Sequence, residues 1–281
     1  MWRGYIATYF FTGGLAGASS TLALGARLSG HHRLARSAML TSLAGMAVSG
    51  PLLVADLGKP GRFANMLRVA KPTSPMSVGS WVLTAFAPAA AVAAASDVTG
   101  LLPGLGAAGA AVAGILGPAV ATYTAVLVAD TAIPAWHGAG KELPFLFAGS
   151  AAASAGGVAM VLTPVAEAGP ARRMAAIAGA IEIAAFRKME AALGDAGKPY
   201  KTGKAGRLAR AAEACTATGA ILGLAAGRRH RCAAVAAGSL VAAGSLLTRF
   251  AVYRAGFESA DDPTATIAPQ RERVDASGRT V

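Results

Sequence analysis

Charge is scarce in this chain. Only 14% of its 281 residues are Asp, Glu, Lys or Arg, against 54% hydrophobic. Soluble domains carry about 25% charge, so an ordinary water-facing surface is excluded. Cysteine is scarcer still, at Cys215 and Cys232. These make no CxxC pair and no metal-ligand spacing, which excludes an iron–sulfur cluster or structural zinc held by this chain alone. The four histidines, His31, His32, His137 and His230, lie in loops or at the ends of apolar runs. A transmembrane b-type haem needs axial ligands at depth, so the chain reads as haem-free and the dihaem anchor class is excluded. Acidic residues are few beside basic ones, and the net charge is +12. The cations sit between apolar runs and in the C-terminal tail. That pattern reads as the flanking charge of membrane spans rather than a nucleic-acid face. No cleavable leader is legible, because the first apolar run is too long and no cleavage site follows. It is expected to act as an uncleaved insertion signal.

Apolar runs, in contrast, are abundant. About 20 residues cross a bilayer core, and eight runs are long enough: 5–28, 34–57, 76–96, 104–132, 143–165, 172–193, 208–226 and 232–255. Their wealth of Gly and Ala suits close helix–helix approach in a membrane. The expected fold is all-α and polytopic, with eight transmembrane helices in one domain over 1–256. A first four-helix bundle is expected at about 5–132 and a second at about 143–255. Residues 257–281 read as a polar extramembrane tail.

An even number of spans puts both termini on one side. Eighteen of the Lys and Arg residues fall on that side and eight on the other. The positive-inside rule then predicts a multi-pass protein of the cell (inner or plasma) membrane with cytoplasmic termini.

The longest polar segment between two apolar runs is 56–81, DLGKPGRFANMLRVAKPTSPMSVGSW. Phe63, Met66, Leu67 and Ala70 fall at helical spacing, with Arg62, Asn65 and Arg68 on other faces. This predicts a short amphipathic helix at the membrane surface. It reads either as a basic interfacial loop or as a docking surface built from Lys59, Arg62, Phe63, Asn65, Arg68 and Lys71.

Polar groups inside spans are costly and therefore informative. Tyr5 and Tyr9 are one turn apart on the first helix, and Thr12 continues that face. Tyr123 and Asp130 share a face of the fourth, and Asp56 ends the second. Alternating span direction brings all of these to the end that carries the long polar stretch. The tyrosines read either as an interfacial aromatic belt or as pocket residues. A second group is Glu182, Glu213 and Arg249, on the last three spans. It reads either as a structural ion pair between Glu182 and Arg249 or as a proton relay.

The string DLGKPGRFANMLRVAKPTSPMSVGSW, together with GPAVATYTAVLVADTAIPAWH at 117–137 and LGDAGKPYKTGKAGR at 193–207, resembles the NrfD/PsrC family. These are membrane subunits of polysulfide-reductase-type respiratory complexes. The resemblance implies a haem-free, metal-free subunit that binds menaquinone or another quinone in a four-helix bundle at one end. It implies a ferredoxin-like iron–sulfur partner and a molybdopterin catalytic subunit. The family tyrosine near the end of the fourth span matches Tyr123. The polysulfide reductase member also uses a first-span histidine, which is absent here, leaving Tyr5, Tyr9 and Thr12 as first-span candidates.

The expected function is that of a quinone-reactive anchor. It would pass electrons between the partner's iron–sulfur cluster and the quinone pool without acting on the primary substrate. Asp130, Asp56, His137, Lys141 and Glu182 are the candidate proton-transfer groups. A secondary transporter or an ion or proton channel is the alternative, and a passive anchor is the third reading. Polarity concentrated at one end favours a one-sided pocket over a path across the bilayer.

Overall fold

The computed structural model describes residues 4–56 and 61–262, apart from the side chains of Phe63, Ala64 and Asp195. Lys59, the Phe63 side chain and the tail beyond residue 262 therefore lie outside the described residues. The chain order is α1 (Tyr5–Leu28), α2 (His32–Asp56), α3 (Gly61–Met66), α4 (Pro75–Thr99), α5 (Pro103–Ala129), α6 (Pro134–His137), α7 (Leu143–Leu162), α8 (Gly169–Ala192), α9 (Lys198–Lys201), α10 (Gly203–Ala225) and α11 (Arg231–Ala260). A 3-10 turn, Gly194–Gly197, precedes α9. No strand occurs among the described residues.

Five helices are long and apolar enough to cross a membrane: α2, α4, α5, α7 and α11. This is the architecture of a multi-pass membrane protein. α1, α8 and α10 have similar lengths, 24, 24 and 23 residues, but are not among these five. The eight long helices coincide with the eight apolar runs. Their ends differ by a few residues, most at the start of α10, which begins at Gly203, and at the end of α11, which continues to Ala260. Start and stop signals are local. Ser74 caps α4 by accepting a hydrogen bond from the Ser77 amide, with Pro75 as the first helical residue, and Gly100 ends the helix at φ 73°.

α1 packs on α2 and α5, and α4 packs on α5 and α2. α7 packs on α8 and α11, and α10 packs on α11 and α8. α1 and α5 also lie against α7. At two crossings glycines of both helices meet backbone to backbone. A Cβ on Gly17 would stand 2.4 Å from the Gly117 carbonyl oxygen, and one on Gly117 would stand 2.4 Å from that of Gly17. At the α7–α11 crossing a Cβ on Gly157 would lie 2.7 Å from the Gly238 oxygen, and one on Gly238 would lie 2.3 Å from that of Gly157. Such contact supplies the dispersion energy that lipid-immersed helices otherwise lack. Hydroxyls reinforce the α1–α5 seam: Ser20 donates to the Ala113 carbonyl at 2.9 Å and Thr21 to Gly114 at 3.0 Å.

The two ends of the molecule differ. The end holding the start of α1 and the close of α2, α5 and α11 is aromatic. There Tyr9, Phe10, Trp136, Phe147 and Tyr200 form a buried cluster, with Tyr123, Phe186, Tyr253 and Phe257 packed on it. The opposite end is tied by ion pairs, Arg27 with Asp97 and Arg33 with Glu167.

The amphipathic helix predicted over the polar stretch is shorter than its periodicity suggested. α3 stops at Met66, so Leu67 and Ala70 fall outside it. Lys71 precedes Pro72, and a residue before proline is pushed away from helical backbone. The chain instead turns back to α4. Ser77 donates to the Val69 carbonyl at 2.8 Å and accepts from the Lys71 amide at 3.0 Å.

Candidate functional site

Tyr9 is buried in the aromatic end, on the face of α1 that meets its neighbours. Its phenol oxygen makes no hydrogen bond among the described residues. A buried hydroxyl without a partner is unfavourable by about 1–3 kcal/mol and marks a place where a polar partner belongs. One turn away, Thr12 shares a 2.7 Å hydrogen bond with Ser49 of α2. Thr12 also donates to its own helix at Thr8, 3.1 Å away. Tyr5, one turn earlier on the same face, is 44% exposed.

Tyr123 packs against the same cluster as Tyr9, and against a second one formed by Leu83, Phe86 and Val120. Leu53 of α2 touches both clusters. The Tyr123 ring rests on Gly79 of α4, where a Cβ would come within 2.5 Å of Cδ2. α1, α2, α4 and α5 therefore surround this tyrosine pair. Gly79 and Ser49 were not among the sequence candidates. The signals available were a glycine one turn after Pro75 and a serine just before Pro51.

The proton-transfer candidates scatter around this end. Asp56 closes α2 and acts electrostatically on Tyr253 of α11. Asp130 is the exposed C-cap of α5, its amide donating to the Val126 carbonyl. His137 is exposed on α6, with Nδ1–H donating to the Ala129 carbonyl at 3.2 Å. Lys141 is exposed in the following turn. The α5–α7 connection is anchored by Trp136, whose Nε1–H donates to the Val252 carbonyl at 2.7 Å. Its ring meets Phe257 edge-on at 5.7 Å, and the Ala135 amide donates to Ser259.

Among the docking candidates, Asn65, Arg68 and Lys71 are exposed, and so is Arg62. Asn65, Met66, Val69, Lys71 and Met76 line a shallow groove of about 190 Å³.

Glu182 lies elsewhere, deep between α7, α8 and α11. A close approach puts Gly149 against its backbone. Its polar neighbours are Thr248, Ser150 and Arg249, yet neither carboxylate oxygen closes a well-formed hydrogen bond. The expected Glu182–Arg249 ion pair is not formed. Arg249 instead donates from Nη2 to the Phe147 carbonyl at 2.7 Å and stacks its guanidinium carbon 3.7 Å above the Phe147 ring. A partner carbonyl and an aromatic face, both supplied by α7, compete for the cation. Glu213 turns outward and pairs with Arg187.

No curated protein matches the chain. Residues 1–180 match the family described as "Polysulphide reductase, NrfD", and because that is more than half of the 281 residues, the chain belongs to this family.

Proposed function

We propose that this chain is the quinone-reactive membrane subunit of a respiratory oxidoreductase complex, handing electrons between a partner iron–sulfur subunit and the membrane quinone pool. The observation that carries the reading is the buried Tyr9 phenol without a partner, in the cluster that Tyr123 also packs against. An apolar pocket with a few convergent polar groups is what a small lipophilic cofactor requires. The family membership supports the same reading. In this reading all eight long helices cross the membrane, with both termini on the cytoplasmic side.

A bound menaquinone or other quinone would supply two-electron, two-proton chemistry. The residues of this chain would bind and orient it. Tyr9 and Tyr123 would each offer a phenolic O–H to a carbonyl oxygen, with Thr12 and Ser49 holding the neighbouring turns of α1 and α2 in register. The aromatic walls would exclude water. Asp56, Asp130, His137 and Lys141, near the same end, would exchange protons with the aqueous phase. The exposed stretch around Asn65, Arg68 and Lys71 would receive the iron–sulfur subunit, with a molybdopterin subunit beyond it. No haem or metal in this chain takes part.

Transport or proton conduction is the second reading, favoured by the buried Glu182 carboxylate. Ion flux by the chain alone in proteoliposomes, unaffected by Tyr123→Phe, would support it.

The test of the main reading is quinone-linked turnover of the assembled complex, set beside partner activity with an artificial dye. A hydrogen bond is worth about 0.5–1.5 kcal/mol net, so Tyr9→Phe or Tyr123→Phe should weaken quinone binding roughly two- to tenfold. Dye activity should persist. Unchanged quinone turnover in both variants would refute the pocket, and equal loss of both activities would point to misassembly.

A further inference from the structure

Across the molecule from the tyrosine pair, the start of α8 meets the α10–α11 loop. Arg172 donates from Nη1 to the Gly227 carbonyl at 3.4 Å, which holds it beside that loop. A Cβ on Gly169 would lie 3.9 Å from Arg172 Nη2 and 4.0 Å from Arg173 Nη1, so the two guanidinium groups sit at one place. Arg228 and Arg173 both act on Arg172 as like charges.

Three other arginines at this end have intramolecular duties. Arg27 and Arg33 pair with acids, and Arg231 closes α7 by donating to the Met160 and Thr163 carbonyls. Arg172, Arg173 and Arg228 have no acidic partner among the described residues. Arg172 and Arg173 sit near the start of α8, the end of a helix where cations oppose the dipole. A cluster of like charges without an acidic partner calls for an external anion.

What lies next to it indicates which anion. One turn deeper than Arg173, Ile177 is 63% exposed on α8. On α10, Leu224 and Ile221 are 53% and 68% exposed, one and two turns from Arg228. α8 and α10 pack together at this level, where a Cβ on Gly223 would lie 3.8 Å from Arg172 Cγ. The surface is cationic at the end of the helices and apolar below.

We propose that Arg172, Arg173 and Arg228 form a binding site for the headgroup of an anionic phospholipid, with Ile177, Ile221 and Leu224 against its acyl chains. Guanidinium groups match phosphate oxygens in bidentate fashion. The apolar wall distinguishes a lipid from a free phosphate, which needs none. The site is independent of the quinone reading and stands or falls without it.

The experiment uses the full chain in mixed micelles of phosphatidylcholine and phosphatidylglycerol, with bound lipid counted by native mass spectrometry. The wild type should retain phosphatidylglycerol selectively. Arg172→Gln, Arg173→Gln and Arg228→Gln should each weaken retention about fivefold, and the triple variant should lose selectivity. Arg36→Gln, which neutralises an exposed arginine of α2 at the same end, should leave it unchanged. Selectivity surviving in the triple variant, or lost equally in Arg36→Gln, would overturn the proposal. On the unaltered protein, displacement of phosphatidylglycerol by an equal concentration of inorganic phosphate would also overturn it, since the site would then be one for a soluble anion.

Discussion

Tyr123 of α5 and Gly79 of α4 are in direct contact: the tyrosine ring occupies the space a side chain at residue 79 would take, with Cδ2 2.5 Å and Cε2 2.6 Å from the position of a Cβ. The glycine thus sets the depth at which the phenol sits. Gly79→Ala should push the ring aside while the hydroxyl remains. Quinone-linked turnover of the complex should fall roughly three- to tenfold, the scale of one lost hydrogen bond, while dye-linked partner activity holds. Unaltered quinone turnover would separate the position of Tyr123 from function.

The α1–α5 crossing gives a stability test. Gly117→Ala places a methyl 2.4 Å from the Gly17 carbonyl oxygen, and the helices must separate. Overpacking of this kind destabilises by about 1–3 kcal/mol. Gly104→Ala, on the first turn of the same helix, meets nothing within 4 Å. Thermal unfolding in detergent, followed by helical circular dichroism, should show a lower midpoint for the first and none for the second. Equal midpoints would mean the crossing yields easily.

Trp136 ties the α5–α7 connection to α11. Trp136→Phe keeps most of the ring but removes the 2.7 Å bond to the Val252 carbonyl in a buried site. The expected loss is about 0.5–1.5 kcal/mol, read as a lower unfolding midpoint. Proteolysis within 130–142 should also accelerate if this tryptophan is what holds the connection. Resistance equal to that of the wild type would assign the anchoring to the Ala135–Ser259 bond instead.

Tyr200 tests burial outside the long helices. It lies on α9 with its ring edge against Phe186 at 5.6 Å, and its phenol oxygen has no partner among the described residues. Burial pushes the phenol above its ordinary range, and the Glu190 charge adds to the effect. A raised acid holds its proton more tightly when folded. Its contribution to stability is therefore complete below the unfolded phenol's pKa, about 10, and is lost as pH rises beyond it. Between about pH 10 and 11.5 the wild type should lose stability faster than Tyr200→Phe. Parallel alkaline curves would show that Tyr200 ionises without penalty.

Much of this fold was legible in the residues. Runs of about 20 apolar residues can satisfy their backbone in a membrane only as helices, so the five helices apolar enough to cross follow from composition and length. Proline and glycine punctuation set their ends, as at Ser74–Pro75 and Gly100. The shared end of Tyr9, Tyr123 and Asp56 followed from alternating direction alone. The extent of α3 was not legible, because its periodicity pointed past Met66 while Lys71–Pro72 forced the turn.

Tertiary structure decided which polar groups meet. Spacing along α1 gave Tyr5 and Tyr9 the same standing, yet of the two only Tyr9 is buried. Charge alone paired Glu182 with Arg249, yet α7 brings a carbonyl and an aromatic face to the arginine and leaves the carboxylate without a well-formed bond. The seat of Tyr123 on Gly79 depends on how closely α4 and α5 approach. The gathering of Arg172, Arg173 and Arg228 depends on the packing of α8 against α10. Periodicity places a residue on a helix face, whereas its partner is chosen by side chains distant in sequence and by how closely two backbones can approach.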